Sequence, residues 1–325
     1  MTTFKEIRGT AIQVVSSDPS NPEIGQIWYN SSSGTLKGYV FANVNAWSAG
    51  GNLGTARYRL NGAGTQTAAI GFGGYTTSLL TNTELYNGTS WTTSGNLPAA
   101  KADAAAAGTQ TATLSAGGTG PGGRTNTSEE FNGSTWTSGG SMNTTRTQIS
   151  GAGIQTAALG IGGNPASPPF ASNATESYNG TSWTSVNNLN TARTATGGAG
   201  IQTAALAFGG DTSPGFTAAT ESWNGTSWTS VTSLNTARNA LGGAGTQTAA
   251  LAFGGTTPPN TGATELWNGT SWTSNPNSMS TARRFFASAG TQTAALGSGG
   301  YTTGATAATE EWTGQALQTK TITVS

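Results

Sequence analysis

The sequence predicts an all-β protein assembled as a β-propeller. Three observations carry this: a period of about 45 residues repeated six times, four short strand-like segments in each period, and no stretch with helical apolar spacing. A β-solenoid needs shorter rungs, and a sandwich does not repeat.

Two landmarks fix the period. Gln in "TQT" or "IQT" stands at Gln66, Gln110, Gln155, Gln202, Gln247 and Gln292, in steps of 44, 45, 47, 45 and 45. Trp in "NGTSW" or "NGSTW" stands at Trp91, Trp136, Trp183, Trp228 and Trp272. Trp47 lies 44 residues before the first of these and keeps the phase, whereas Leu317, 45 after the last, sits in "WTGQAL", where the pattern decays. A composition with 49 Gly and much Thr, Ser and Asn is common in disordered chains, but disorder would not space Trp so evenly.

Within one unit the segments follow in order. "NLNTARTATGGAG" (188–200) leads from a polar turn into a strand of tiny residues. "IQTAALAFGG" (201–210) is a small-apolar run closed by a Gly doublet. "TESWNGTSWTSV" (220–231) reads as two strands joined at Asn224-Gly225, where a two-residue type I′ turn would place both residues at positive φ. Side-chain size is graded along the unit. Gly, Ala and Thr fill the first two segments, as crowding near an axis requires, and Tyr, Phe and Trp fill the last two, where neighbouring blades diverge. Each such ring buries roughly 150–250 Å², worth about 4–6 kcal/mol before entropic costs.

"SMSTAR" (278–283), the Gly doublets and "TELWNGTSW" (264–272) resemble the kelch repeat, with its Met/Leu-x-x-x-Arg start, diglycine, Glu-x-Tyr and later Trp. The resemblance spans 52–312 in six tandem copies and implies a kelch-like β-propeller. One departure is that only four residues separate the Tyr or Trp of the third segment from the later Trp, so the last hairpin is tighter than is usual in kelch. Residues 1–50 form a divergent N-terminal segment holding a hairpin and the in-phase Trp47, and 51–325 hold the six tandem units. Dividing 325 residues by the period favours seven blades. The first blade would then come from the N-terminal segment, sealed by "TKTITVS" (319–325) so that no open edge strand remains. Six blades plus a separate N-terminal anchor are the alternative.

Charged residues make up only 8% of the chain, 13 of each sign, so no basic surface for nucleic acid is expected. His and Cys are absent, which removes imidazole bases, thiolates, disulfides and most zinc or copper chemistry. Arg57, Lys101, Arg146, Arg193, Arg238 and Arg283 recur in phase with Glu84, Glu129, Glu176, Glu221, Glu265 and Glu310. Equal numbers of each sign point to internal pairing rather than to an anion-binding ring. Five N-G-[ST] triplets, at Asn87, Asn132, Asn179, Asn224 and Asn268, match glycosylation acceptors but are read as turns. Adjacent acids at Glu129-Glu130 and Glu310-Glu311 point to opposite faces of a strand and cannot share a substrate. Asp occurs only at 18, 103 and 211, too sparsely for a calcium loop. The box typical of sialidase propellers is absent, and a galactose-oxidase-like copper site has no ligands here. No enzyme activity, cofactor or metal is expected.

The stretches between the Gly doublet and the Thr/Ser-Glu pair differ in every unit: 75–82, 119–127, 164–174, 211–219, 256–263 and 301–308. They should emerge on one face. A constant scaffold bearing one set of variable loops is how binding surfaces are commonly built, and Tyr75, Phe170, Phe216 and Tyr301 are the candidate contacts.

The start "MTTFKEIRGTAIQVVSSDP" has no apolar run of the kind a secretory signal carries, and no segment suits a membrane span. The polar, His-free and Cys-free composition suits persistence outside a cell. "SSDPSNPEIGQIWYNSSSGTLKGY" (16–39) resembles segments of bacteriophage tail and virion structural proteins, especially those of marine phages. That resemblance implies a virion protein on the tail or capsid, assembled in the host cytoplasm in several copies per particle. Its partners would be other virion proteins and host surface polysaccharide or a receptor, without nucleic acid or membrane insertion. A cellular kelch-like lectin or protein-interaction adaptor is the alternative.

Overall fold

In a computed structural model that describes residues 12–23, 25–42 and 45–322, the chain is all-β and forms two compact units, Met1–Asn45 with Gly314–Ser325, and Ala46–Thr313. Most of the N-terminal stretch read above for a secretory signal, and the last three residues of the 319–325 segment, lie outside the described residues.

The smaller unit is one four-stranded sheet. Gln13–Val15 runs parallel to Ile27–Asn30, which pairs antiparallel with Thr35–Ala42, and the last partner is the C-terminal strand Ala316–Thr321. Its anchor is Asp18, which accepts hydrogen bonds from the buried Trp28 indole (3.1 Å) and Asn30 Nδ2 (2.7 Å) and pairs with Lys37 Nζ (2.8 Å). Donation from Lys37 above all, then from Asn30 and Trp28, holds the Asp18 carboxyl down at about 2.

The larger unit holds six four-stranded antiparallel sheets, one for each sequence unit. The fourth sheet is typical: Gly197–Ile201, Ala204–Phe208, Thr220–Trp223 and Trp228–Val231, paired in that order. The other sheets begin with Asn61–Thr65, Ala105–Thr109, Ser150–Ile154, Gly242–Gly245 and Ala287–Gly290. In the sixth sheet the fourth strand is Ala46–Gly50, contributed from the N-terminal side of the unit, with Trp312 opposite Trp47. The 1–50 segment is therefore divided, its last five residues completing the sheet begun by Ala287–Gly290.

The hairpins differ from expectation at one point. Trp223 is opposite Trp228, so the Asn-Gly loop spans four residues rather than two, and only Gly225 takes positive φ. Asn224 stays at negative φ because its side chain does the turning: Oδ1 accepts the amides of Thr226 (2.9 Å) and Ser227 (2.8 Å). Asn87, Asn132, Asn179 and Asn268 make the same pair of bonds, in keeping with their reading as turns. The Gly doublets close the second strand with both residues in the left-handed region, φ 65° and 107° at Gly209 and Gly210, where a side chain would be strained.

The core lies between successive sheets. One apolar cluster joins Leu159 and Ile161 of the third sheet to Ala205, Ala207, Trp223 and Trp228 of the fourth, and the other clusters straddle sheets likewise. Two sets of side-chain bonds follow the same path. Each repeating Trp donates its indole N–H to a Thr or Ser of the preceding sheet: Trp136 to Thr83, Trp183 to Ser128, Trp228 to Thr175, Trp272 to Thr220 and Trp47 to Thr264. Trp91 of the first sheet donates to Thr309 of the sixth at 3.0 Å. Each repeating Gln likewise donates to a backbone carbonyl of the third strand of the preceding sheet, and Gln66 reaches back to Trp312 at 2.7 Å.

A third circuit is made by backbone alone. Phe285 N–H donates to Ala240, Ala240 to Ala195, Ala195 to Gln148, Gln148 to Asp103, Asp103 to Arg59, and Arg59 back to Phe285 (2.7 Å). All six are non-glycine residues with φ between 52° and 56°. Such a conformation persists only where the surroundings impose it, and here the closed set of bonds does so.

The in-phase charges pair inside their own units. Arg57–Glu84, Lys101–Glu129, Arg146–Glu176, Arg193–Glu221, Arg238–Glu265 and Arg283–Glu310 lie 2.5–3.0 Å apart, all buried. Further bonds go to backbone: Arg193 donates to the Ala219 carbonyl, and Glu221 accepts the amides of Asn190 and Thr191, while the Arg193 Nε is buried without a partner. Each pair thereby pins the linker that enters a sheet onto that sheet. The adjacent acids also have structural partners, since Glu130 and Glu311 accept the hydroxyls of Tyr178 and Tyr86 from the next sheet, both at 2.5 Å.

Candidate functional site

The variable loops gather at one end of the six sheets. Each loop is bridged near its start to the segment just before the first strand of its own sheet, as in Tyr58↔Tyr75, Thr147↔Asn164, Thr194↔Asp211, Asn239↔Thr256 and Arg284↔Tyr301. This puts the loops beside the backbone circuit of Arg59, Asp103, Gln148, Ala195, Ala240 and Phe285.

Those six side chains line a cavity of about 110 Å³, with a second of about 190 Å³ bounded by the first strands. The upper cavity has a polar half and an apolar half. Arg59 pairs with Asp103 at 3.2 Å and lies over the Phe285 ring at 5.1 Å, and Gln148 Oε1 accepts from the Thr194 hydroxyl at 3.0 Å. Burial pushes the Asp103 carboxyl up to about 6, with Arg59 opposing the rise. Below them Asn61 Nδ2 and Thr196 Oγ1 are buried without hydrogen-bond partners.

Of the four candidate aromatics, the structure brings two together. Tyr75 and Tyr301 flank Tyr58, with ring centroids 5.6 and 5.1 Å away in edge-on arrangement. Tyr301 also carries the Arg284 guanidinium, 5.2 Å from its centroid, and Arg284 lies 5.8 Å from the Phe285 ring. Phe216 stands apart from this group, lining a cleft of about 440 Å³ with Thr256, Pro258, Pro259, Asn260, Arg284 and Thr302. Phe170 is 48% exposed at the tip of its own loop. A further cavity of about 350 Å³ is lined by Arg59, Asp103, Arg124, Gln148 and Asn164, where Arg124 donates to Asn164 Oδ1 at 2.8 Å.

Sequence reasoning missed Tyr58, Arg59, Asp103, Arg124, Gln148, Arg284 and Phe285. Apart from Arg124, which stands in a variable loop, they occupy the two positions after the in-phase cation. Aligning the six units shows both columns varying, Tyr, Ala, Thr, Thr, Asn, Arg and then Arg, Asp, Gln, Ala, Ala, Phe, beside an almost constant cation. That contrast was the available signal.

Among the described residues no three His, Cys, Asp or Glu side chains cluster as a metal site. The groups that converge are guanidinium donors, the Asp103 carboxylate, amides, hydroxyls and ring faces. No protein-family model matches the chain, and no curated protein matches its sequence.

Proposed function

We propose that Ala46–Thr313 is a closed, six-bladed, kelch-like β-propeller that serves as a binding module of a bacteriophage virion. Its loop end would contact host surface polysaccharide, a receptor or a neighbouring virion protein. Closure is supported by the three hydrogen-bond circuits, each of which returns from the sixth sheet to the first. Chain length favours seven blades, but this reading counts six, because the remaining sheet belongs to the separate unit of Met1–Asn45 and Gly314–Ser325. That unit includes the whole 16–39 segment that resembles virion proteins, and we assign it to attachment on the tail or capsid.

The observation that carries the binding role is the set of arginines and aromatic rings gathered where the loops differ most. Cryo-electron microscopy of particles encoded beside this gene tests the whole reading. The expected result is several copies of a six-bladed disc whose loop end faces outward. Absence of the protein from purified particles would move the assignment to a cellular lectin or adaptor, on which the same loop chemistry would serve.

A further inference from the structure

The cleft beside Phe216 holds Arg284, which no carboxylate neutralises among the described residues; the other such cation at the loop end, Arg124, is engaged by Asn164 Oδ1 at 2.8 Å. Arg284 is the one charged residue among those lining it. Every other in-phase or ring arginine has a carboxylate: Arg57, Arg146, Arg193, Arg238 and Arg283 have their glutamates and Arg59 has Asp103. Among the described residues no carboxylate pairs with Arg284, and its Nε, like those of Arg59 and the in-phase arginines, is buried without a hydrogen-bond partner. The guanidinium lies 5.2 Å from the Tyr301 centroid and 5.8 Å from that of Phe285, so two rings hold it near the cleft before any ligand arrives.

The remaining walls narrow the class of ligand. Phe216, Pro258 and Pro259 contribute apolar surface, and Thr256, Thr302, Thr303 and Asn260 also line the cleft. Asn260 spends its Nδ2 on the Tyr301 and Thr302 carbonyls, at 2.9 and 3.2 Å, which orients the side chain within the cleft. A volume of about 440 Å³ lies in the range of small-ligand sites. One cationic fork of donors beside a mainly apolar wall, with neutral polar side chains around it, matches a pyranose bearing a single acidic group. Its C–H face would lie on Phe216 and the prolines, and its acid would meet Arg284. An acidic peptide would bring several charges to a cleft with one cation.

We infer that the Arg284–Phe216 cleft is a subsite for an anionic sugar residue, a uronate or a sulfated hexose, within a surface polysaccharide. This rests on the glycan-binding reading above and names its ligand class. The test is calorimetry on the full-length protein with a hexuronate tetrasaccharide, the same tetrasaccharide with its carboxyls reduced to alcohols, a sulfated neutral tetrasaccharide and hexaglutamate. We expect the anionic sugars to bind at least tenfold more tightly than the reduced one, and the tighter of the two anionic ligands identifies the acid. Arg284→Met, which keeps the stem packed on Tyr301, should abolish that preference, and Arg284→Lys should retain part of it. Phe216→Ala should weaken the acidic and reduced sugars alike.

Equal binding of the acidic and reduced sugars, or hexaglutamate binding as tightly as the uronate, would overturn the inference, and neither measurement depends on a variant folding. If neutral glycans on an array bind while anionic ones do not, this subsite falls and the glycan-binding reading stands. If no saccharide of any kind binds, both fall.

Discussion

Arg193 has no solvent exposure, and its charge is balanced by Glu221 at 2.6 Å, with backbone groups bonding both. Desolvation pulls the arginine below its usual range, and the neighbouring glutamate opposes that shift. Breaking such a pair from one side leaves an uncompensated buried charge, so Arg193→Met should cost about 3–5 kcal/mol in urea unfolding. Removing Glu221 as well, in an Arg193→Met/Glu221→Met double variant, should recover part of that loss. Asp103 behaves differently, because burial raises its folded-state value from 3.8 to about 6. The proton is held more tightly in the folded state, so this stabilisation is complete below pH 3.8 and is lost as pH rises through 6. Asp103→Asn should therefore remove a decline of roughly 2–3 kcal/mol between pH 4 and pH 7, read from unfolding curves across that range.

At the level of the strand, the tiny residues of the first segments are required by close approach. A Cβ on Gly243 would stand 2.3 Å from the carbonyl oxygen of Gly198 in the preceding sheet, a backbone atom that cannot move aside cheaply. Gly243→Ala should cost about 1–3 kcal/mol, measured as a lowered urea midpoint. The fourth strands make the opposite demand. Trp183 is buried between the second and third sheets and donates to Ser128 at 3.0 Å. Trp183→Phe should lose mainly that bond, about 1 kcal/mol, whereas Trp183→Ala opens a cavity and should cost about 3–5 kcal/mol. Equal losses for the two variants would show that the indole does not wedge the sheets apart.

Across the whole larger unit, stability depends on circuits that need every member. Ala46–Gly50 supplies both the last strand of the sixth sheet and the Trp47 bond to Thr264. A fragment of residues 46–313 should therefore unfold cooperatively, and one of residues 51–313 should melt lower and aggregate through the exposed edge of the strand Thr309–Thr313. Thermal scans with light scattering distinguish the two. Tyr86 and Tyr178 add joints between sheets, and burial, reinforced by Glu311 and Glu130, pushes both phenols up to about 12. Their protons are held more tightly in the folded state, so their contribution is intact below pH 10 and is lost as pH rises through 12. Tyr86→Phe and Tyr178→Phe should each flatten the alkaline limb of the stability profile.

The repeat by itself determined six like units of short antiparallel strands, although chain length favoured seven blades, together with the pairing of the in-phase cations with Glu and the burial of the repeating tryptophans. These follow from local chemistry copied six times, where spacing and side-chain size leave few alternatives. Sequence could not reveal that Ala46–Gly50 joins the sheet of Ala287–Ser298, because pairing across more than 230 residues is chosen by the sheet that remains incomplete. Nor could it show that Asn224 turns the chain through its side chain rather than at positive φ, since both solutions use the same Asn-Gly. Among the site residues, Tyr75, Phe216 and Tyr301 were legible as bulky departures in variable loops. Arg59, Asp103, Arg284 and Phe285 were not, because they stand beside the constant cation and look like scaffold. Only tertiary structure, by closing the backbone circuit, brought Arg59, Asp103 and Phe285 to one cavity and set Arg284 in the cleft beside Phe216 with no carboxylate among the described residues.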